Sequence, residues 1–137
     1  MKKVLTRISF AFSAGAAGGL ANAITVWLFG ALGITAAAGV QIAPALTPPF
    51  LYQRIVWGGI WGMLLLIPLF IKRPALRVSA LCIPPTLVQL FIVFPFMLHR
   101  GMMGLELGAA TPFFVVLFNL VWAAKAWYWH RILRKSA

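Results

Sequence analysis

Glu106 is the one acidic residue in this chain of 137, set against twelve Lys and Arg. Asp is absent, so a carboxylate that handles protons or cations can only be Glu106. Coupling sites in membrane proteins lie near mid-membrane. Glu106 instead falls in a short connection between two apolar runs, close to His99 and Arg100. The preferred reading is a structural ion pair at an outer rim, with Arg100, Arg54 and His99 as available partners. A proton- or cation-handling group is the sharper alternative.

The remaining residue types exclude more chemistry than they offer. His99 and His130 fall at opposite ends of the apolar run that separates them, and no Cys/His/carboxylate cluster supplies the usual metal ligand count. The same separation denies haem a pair of axial histidines. The serines have no His and carboxylate to form a triad. Cys82, the lone cysteine, sits within an apolar run and reads as a buried, inert thiol. No metal, cofactor or enzymatic activity is therefore expected.

What must position these residues is a set of helices in lipid. Hydrophobic residues make up 63% and charged residues 9%, against about 45–50% and about 25% in soluble domains. That leaves too little polar surface for a water-facing globule. A nucleic-acid partner is not expected either, since no basic stripe with interleaved aromatics occupies a polar face. At about 20 residues per crossing, the expected fold is an all-α integral membrane protein, a bundle of four transmembrane helices. The spans read approximately as 9–32, 50–71, 78–98 and 113–129, in a single membrane domain. Ala21-Asn22-Ala23 resembles a signal-peptide cleavage site. The apolar run continues beyond it to Phe29, so an uncleaved first span is favoured.

Two outer segments join the spans. Residues 33–49 carry no charge and include Pro44, Pro48 and Pro49. They read as a loop on the interface, with a re-entrant segment as the alternative. Residues 99–110 carry Glu106. Pro84, Pro85 and Pro95 are expected to kink the third span.

Charge sets the orientation. Lys2, Lys3, Arg7, Lys72, Arg73, Arg77, Lys125, Arg131, Arg134 and Lys135 fall on one side of this arrangement. Only Arg54 and Arg100 fall on the other. Positive residues in short connections stay cytoplasmic, so both termini are expected there. Lys125 lies about 18 Å along its helix and can snorkel to the inner surface. Trp127, Tyr128 and Trp129 suit the inner aromatic belt, and Tyr52 and Trp57 the outer one.

Small and polar residues suggest how the spans pack. Ala14/Gly18 and Gly15/Gly19 in the first span, and Gly58/Gly62 in the second, have small-xxx-small spacing, which lets backbones approach in lipid. Whether that packing lies within one chain or at a dimer seam stays open. Asn22, Gln89 and Asn119 are amides on three spans, and Gln41 lies on the outer approach to the second. They serve either as interhelical bonds or as a polar pathway. Thr47, Pro48 and Phe50 recur as Thr111, Pro112 and Phe114, and Val56-Trp57-Gly58-Gly59 resembles Val121-Trp122-Ala123-Ala124. The pattern fits either a duplicated hairpin, giving a 2+2 parallel repeat, or convergence on helix-start residues.

Residues 88–134 resemble the YagU-type family of small bacterial inner-membrane proteins. The resemblance is carried by Gln89-Leu90-Phe91, Phe94-Pro95, Met103-Gly104, Thr111-Pro112, Leu120-Val121-Trp122 and the basic end that follows. It implies a multi-pass protein of the bacterial inner membrane and a link to acid tolerance rather than a defined activity. The function expected is an accessory or interaction subunit in contact with the lipid bilayer, in a homo-oligomer or a larger complex. The alternative is a small dimeric transporter or channel for a neutral or anionic solute.

Overall fold

Thr-Pro steps open two of the long helices, and glycines let two others touch. The computed structural model describes Met1–Ala137 and contains helices but no strand. Helix α1 runs Lys2–Ala31, and the short α2 Ile34–Ala37. Helix α3 (Pro48–Trp61) passes into a 3-10 segment at Gly62–Leu66. Helix α4 (Pro74–Val88) passes into a π-helical segment at Gln89–Met97. A pair of 3-10 turns in Met102–Leu107 leads to α5 (Thr111–Ser136). Two of these, Lys2–Ala31 and Pro74–Met97, are long and apolar enough to cross a membrane.

The helix starts follow from local chemistry. Thr47 is the N-cap of α3, and its Oγ1 accepts from the Phe50 amide at 3.4 Å, with proline in the first turn. Thr111 begins α5 differently. Ala110 occupies the cap position, and the buried Thr111 Oγ1 has no hydrogen-bond partner. The Thr-Pro likeness is thus one of position in the chain, with different use of the hydroxyl.

Two helices depart from the expected ranges. Helical geometry after α3 ends at Leu66 rather than reaching Ile71. Proline at 68 has no N–H to offer and holds Ile67 extended (φ −80, ψ 124). The third helix is not stopped by its prolines: Pro84 and Pro85 lie inside α4, and Pro95 inside the π segment. There the Leu98 amide reaches the Val93 carbonyl at 2.8 Å. The wider turn relieves the clash a proline ring makes with the carbonyl four residues back.

Helices α1 and α5 form the centre, with α3 packed on α1 and α4 on α5. Neighbours run antiparallel. A side chain at Gly15 would strike the backbone of Gly58 and Gly62, and one at Gly19 the backbone of Arg54. Trp122 Nε1 donates to the Gly15 carbonyl at 3.1 Å, tying α5 to the same turn. The small-residue faces are therefore used between helices of one chain.

The core has three parts. Ala11, Ala14, Leu65, Leu81, Cys82, Trp122, Ala123 and Ala126 fill the end near the termini. Val26, Val40, Phe114 and Phe118 fill the far end beside a smaller group of Leu90, Phe94 and Val115. Val40 comes from residues 33–49, which fold over the far end rather than lying free. Thr35 Oγ1 donates to the Ile42 carbonyl at 2.7 Å, and the Gln41 amide to the Leu107 carbonyl at 2.8 Å.

Candidate functional site

Three polar constellations stand out in the apolar bundle. The first joins α1, α3 and α5. Gly19 lets the backbone of α3 at Arg54 come close against α1, and Arg54 Nη1 donates to Asn22 Oδ1 at 2.6 Å. Asn22 Nδ2 in turn donates to the Phe118 carbonyl at 2.8 Å. The Arg54 guanidinium also lies 4.9 Å from the Phe50 ring centre. A half-buried cation is thus balanced by an amide oxygen and an aromatic face, with no carboxylate among its contacts. Such a group can bind an anion or lock three helices together.

The second joins α4 and α5. Asn119 Nδ2 donates to Thr86 Oγ1 at 3.0 Å, and Cys82 Sγ lies 3.5 Å from the same oxygen. All three residues are buried. Cys82 is a free, buried thiol whose polar neighbours are the Thr86 hydroxyl and the Val116 carbonyl.

The third lies at the end carrying both termini. Arg77, at 7% exposure, sends Nη1 to the carbonyls of Ile67 (3.1 Å) and Leu69 (2.7 Å), and Nη2 to that of Leu65 (2.8 Å). The Leu65 carbonyl is left open where the helix runs out, and those of Ile67 and Leu69 lie in the bend beyond it, so the guanidinium supplied from α4 caps the helix and ties down the bend. Beside it is a cleft of about 500 Å³ between the start of α4 and the last turns of α5. Lys72, Arg77, Arg131, Arg134 and Lys135 line it, with His130 and Trp127. A second cleft holds Lys2, Lys3 and Arg7 and shares Arg134, so these basic groups gather at one end. Burial pushes the His130 imidazole below its usual range, and Arg134 and Arg77 add to the shift by repulsion.

The expected rim clasp takes a different form. Glu106 is exposed, and its tie to Arg100 is through the backbone, amide to carbonyl at 3.2 Å. Arg54 is committed to Asn22 on another helix, and His99 is exposed in a left-handed conformation (φ 53). The chain around Glu106 is held by turns instead. Gly104 (φ +68) must be glycine both for that angle and because a Cβ would meet Phe94 at 2.7 Å and Thr111 at 2.9 Å.

The amides are divided between these sites. Asn22 on α1 bonds to the α5 backbone and Asn119 on α5 bonds to α4, while Gln89 stands apart and half-buried on the π segment. Gln41 is exposed. Thr25, on the Gly18 face, bonds back to its own helix at the Ala21 carbonyl (2.8 Å).

Sequence reading missed the Arg77 cap, the cleft and three cation–π pairs, and only the pairs carried a local signal. Phe50/Arg54, Lys125/Trp129 and Trp127/Arg131 are spaced four apart on helices, the spacing that brings side chains together. Each pair makes a cation–π contact, at 4.9, 5.1 and 5.4 Å.

Comparison with known protein families, with curated proteins and with solved structures finds no match.

Proposed function

We propose that this is a four-span protein of the bacterial inner membrane, both ends cytoplasmic, that works as an accessory or interaction component rather than as an enzyme. Helix length supports the four spans. The 14 residues of α3 rise about 21 Å, and the five 3-10 residues after them add about 10 Å. Together they match a hydrocarbon core of about 30 Å, and the 26 residues of α5 exceed it at about 39 Å. The gathering of basic residues at the end carrying both termini agrees with a cytoplasmic placement of that end. The YagU-type resemblance of residues 88–134 implies the same membrane.

The observation that carries the functional reading is how the interior polar groups are used. Asn22 and Asn119 bond neighbouring helices, and the Gly15, Gly58 and Gly62 backbones meet inside the chain. The bundle closes on itself, leaving an apolar outer surface and a basic end for contact with others. Mild-detergent purification followed by mass measurement tests this. A stoichiometric companion subunit or a defined homo-oligomer is expected; a lone monomer defeats it. An active periplasmic reporter fused after Ala137 defeats the topology.

A second reading, a small dimeric transporter for a neutral or anionic solute, is favoured by Arg54 alone. Its charge has no acid partner, and an anion crossing near Asn22 would meet it. Flux in proteoliposomes should then fall in Asn22→Leu. Unchanged flux in that variant, in Gln89→Leu and in Asn119→Leu removes this reading.

A further inference from the structure

We propose that the cleft between the start of α4 and the end of α5 is a binding site for a phosphate-bearing ligand, either an anionic lipid headgroup or a soluble phosphate. Five cationic side chains line it, four from α4 and α5 and Lys72 from the turn before α4, and no acidic residue does. The only acid of the chain, Glu106, sits in the turns at the far end. No acidic side chain neutralises this concentration of charge.

Orientation in a membrane does not require such convergence. The positive-inside rule counts basic residues near span ends and is indifferent to whether they face one another. Here Arg131, Arg134 and Lys135 from the last turns of α5 converge with Lys72 and Arg77 on a single concave space. The C-terminal end of a helix also welcomes cations, which helps hold the α5 side chains there.

The wall is rigid where it needs to be. Arg77 is buried and fixed by three carbonyls, so its charge does not retreat into solvent. Arg131 lies 5.4 Å from the Trp127 ring centre, which limits its range. Lys72, Arg134 and Lys135 are exposed and free to close on a ligand. At about 500 Å³ the cleft is of ordinary ligand size. Guanidinium forks and ammonium groups both suit phosphate oxygens. Basic pockets between helices on the cytoplasmic side of membranes recognise phosphate headgroups by this chemistry.

The test uses the full chain in neutral detergent with two probes. Cardiolipin, against phosphatidylcholine, is titrated by native mass spectrometry, and inorganic pyrophosphate by calorimetry. The variant Lys72→Gln/Arg131→Gln/Arg134→Gln changes exposed side chains only and leaves the Arg77 cap intact. Its control, Lys2→Gln/Lys3→Gln/Arg7→Gln, removes the same charge from the neighbouring cleft. We expect at least one phosphate probe to bind, with the first variant weakening it about tenfold or more and the control changing it less than about twofold. Binding of cardiolipin alone assigns a lipid, and binding of pyrophosphate a soluble phosphate. Equal losses in the two variants, or no binding of either probe over phosphatidylcholine, overturn the site. The pyrophosphate arm does not depend on which way the protein faces in a membrane.

Discussion

Asn22 and Arg54 should behave as one energetic unit, and a double-mutant cycle measures whether they do. Asn22→Leu removes the acceptor of a 2.6 Å bond from Arg54 and the donor of a 2.8 Å bond to the Phe118 carbonyl. A hydrogen bond to a charged group contributes roughly 1.5–3 kcal/mol. Interhelical polar contacts in membranes average about 0.6 and reach about 1.7 kcal/mol, because separated helices find other partners in lipid. The Arg54 bond belongs near the upper membrane value, since no carboxylate stands ready to replace Asn22. Adding the weaker Phe118 contact puts Asn22→Leu at about 2 kcal/mol of destabilisation. Arg54→Leu strands the amide oxygen instead and should cost about 1–2 kcal/mol. In the double variant neither partner is stranded, so the total should fall short of the sum by about 1 kcal/mol or more. Reversible unfolding in mixed micelles of mild detergent and dodecyl sulfate, followed by the near-ultraviolet dichroism of the six tryptophans, reports each value. Additivity within about 0.5 kcal/mol would refute the coupling and reduce the 2.6 Å bond to a passive contact.

Other variants probe the packing and the basic end. Gly15→Ala drives a Cβ onto the Gly58 carbonyl and to within 2.6 Å of the Gly62 Cα. Backbone cannot swing aside, so a loss near the top of the usual overpacking range, about 3 kcal/mol, should appear in the same unfolding titration. Thr111→Val replaces a fully buried hydroxyl that has no partner. It should leave stability unchanged or raise it by about 1 kcal/mol, and a loss larger than that would mean the hydroxyl is bonded. His130 faces Arg77 and Lys72 across the cleft and Arg131 and Arg134 on its own helix. Its folded pKa lies below its ordinary value of 6.5. The unfolded chain therefore takes up the proton first, and stability is full above about pH 6.5 and declines as pH falls through that value. Unfolding midpoints at pH 7.5 and pH 5.5 should separate in the parent, and the separation should shrink in His130→Gln.

Much of the helical framework was legible, because its signals are local. Thr47 with Pro48, and Thr111 with Pro112, mark two helix starts within a few residues each. Gly15, Gly58 and Gly62 announce close approach by spacing alone, since in lipid only small side chains let backbones touch. The prolines were harder. Pro68 ends a helical run, while Pro84, Pro85 and Pro95 are absorbed by one. What differs is whether neighbouring turns can widen, and a single residue does not encode that. The Arg54–Asn22 bond was out of reach because it depends on antiparallel register between helices 32 positions apart. An ion pair is expected for Glu106 because Arg100, Arg54 and His99 share its end of the bundle, but a shared end does not fix where side chains point. Arg54 had a nearer acceptor across the Gly19 gap.

The Arg77 cap ties the completion of one helix to the arrival of the next. Until the first turn of α4 exists, no guanidinium donates to the carbonyls of Leu65, Ile67 and Leu69. A nascent chain that stopped at Phe70 would leave the carbonyls of Leu65 and Leu69 without this donor, a costly state wherever water is excluded. The second and third helices are therefore better regarded as a hairpin that matures as one piece, sealed by a residue only eight to twelve positions downstream. An ordering of assembly is thus built into the turn, independent of anything the finished protein does.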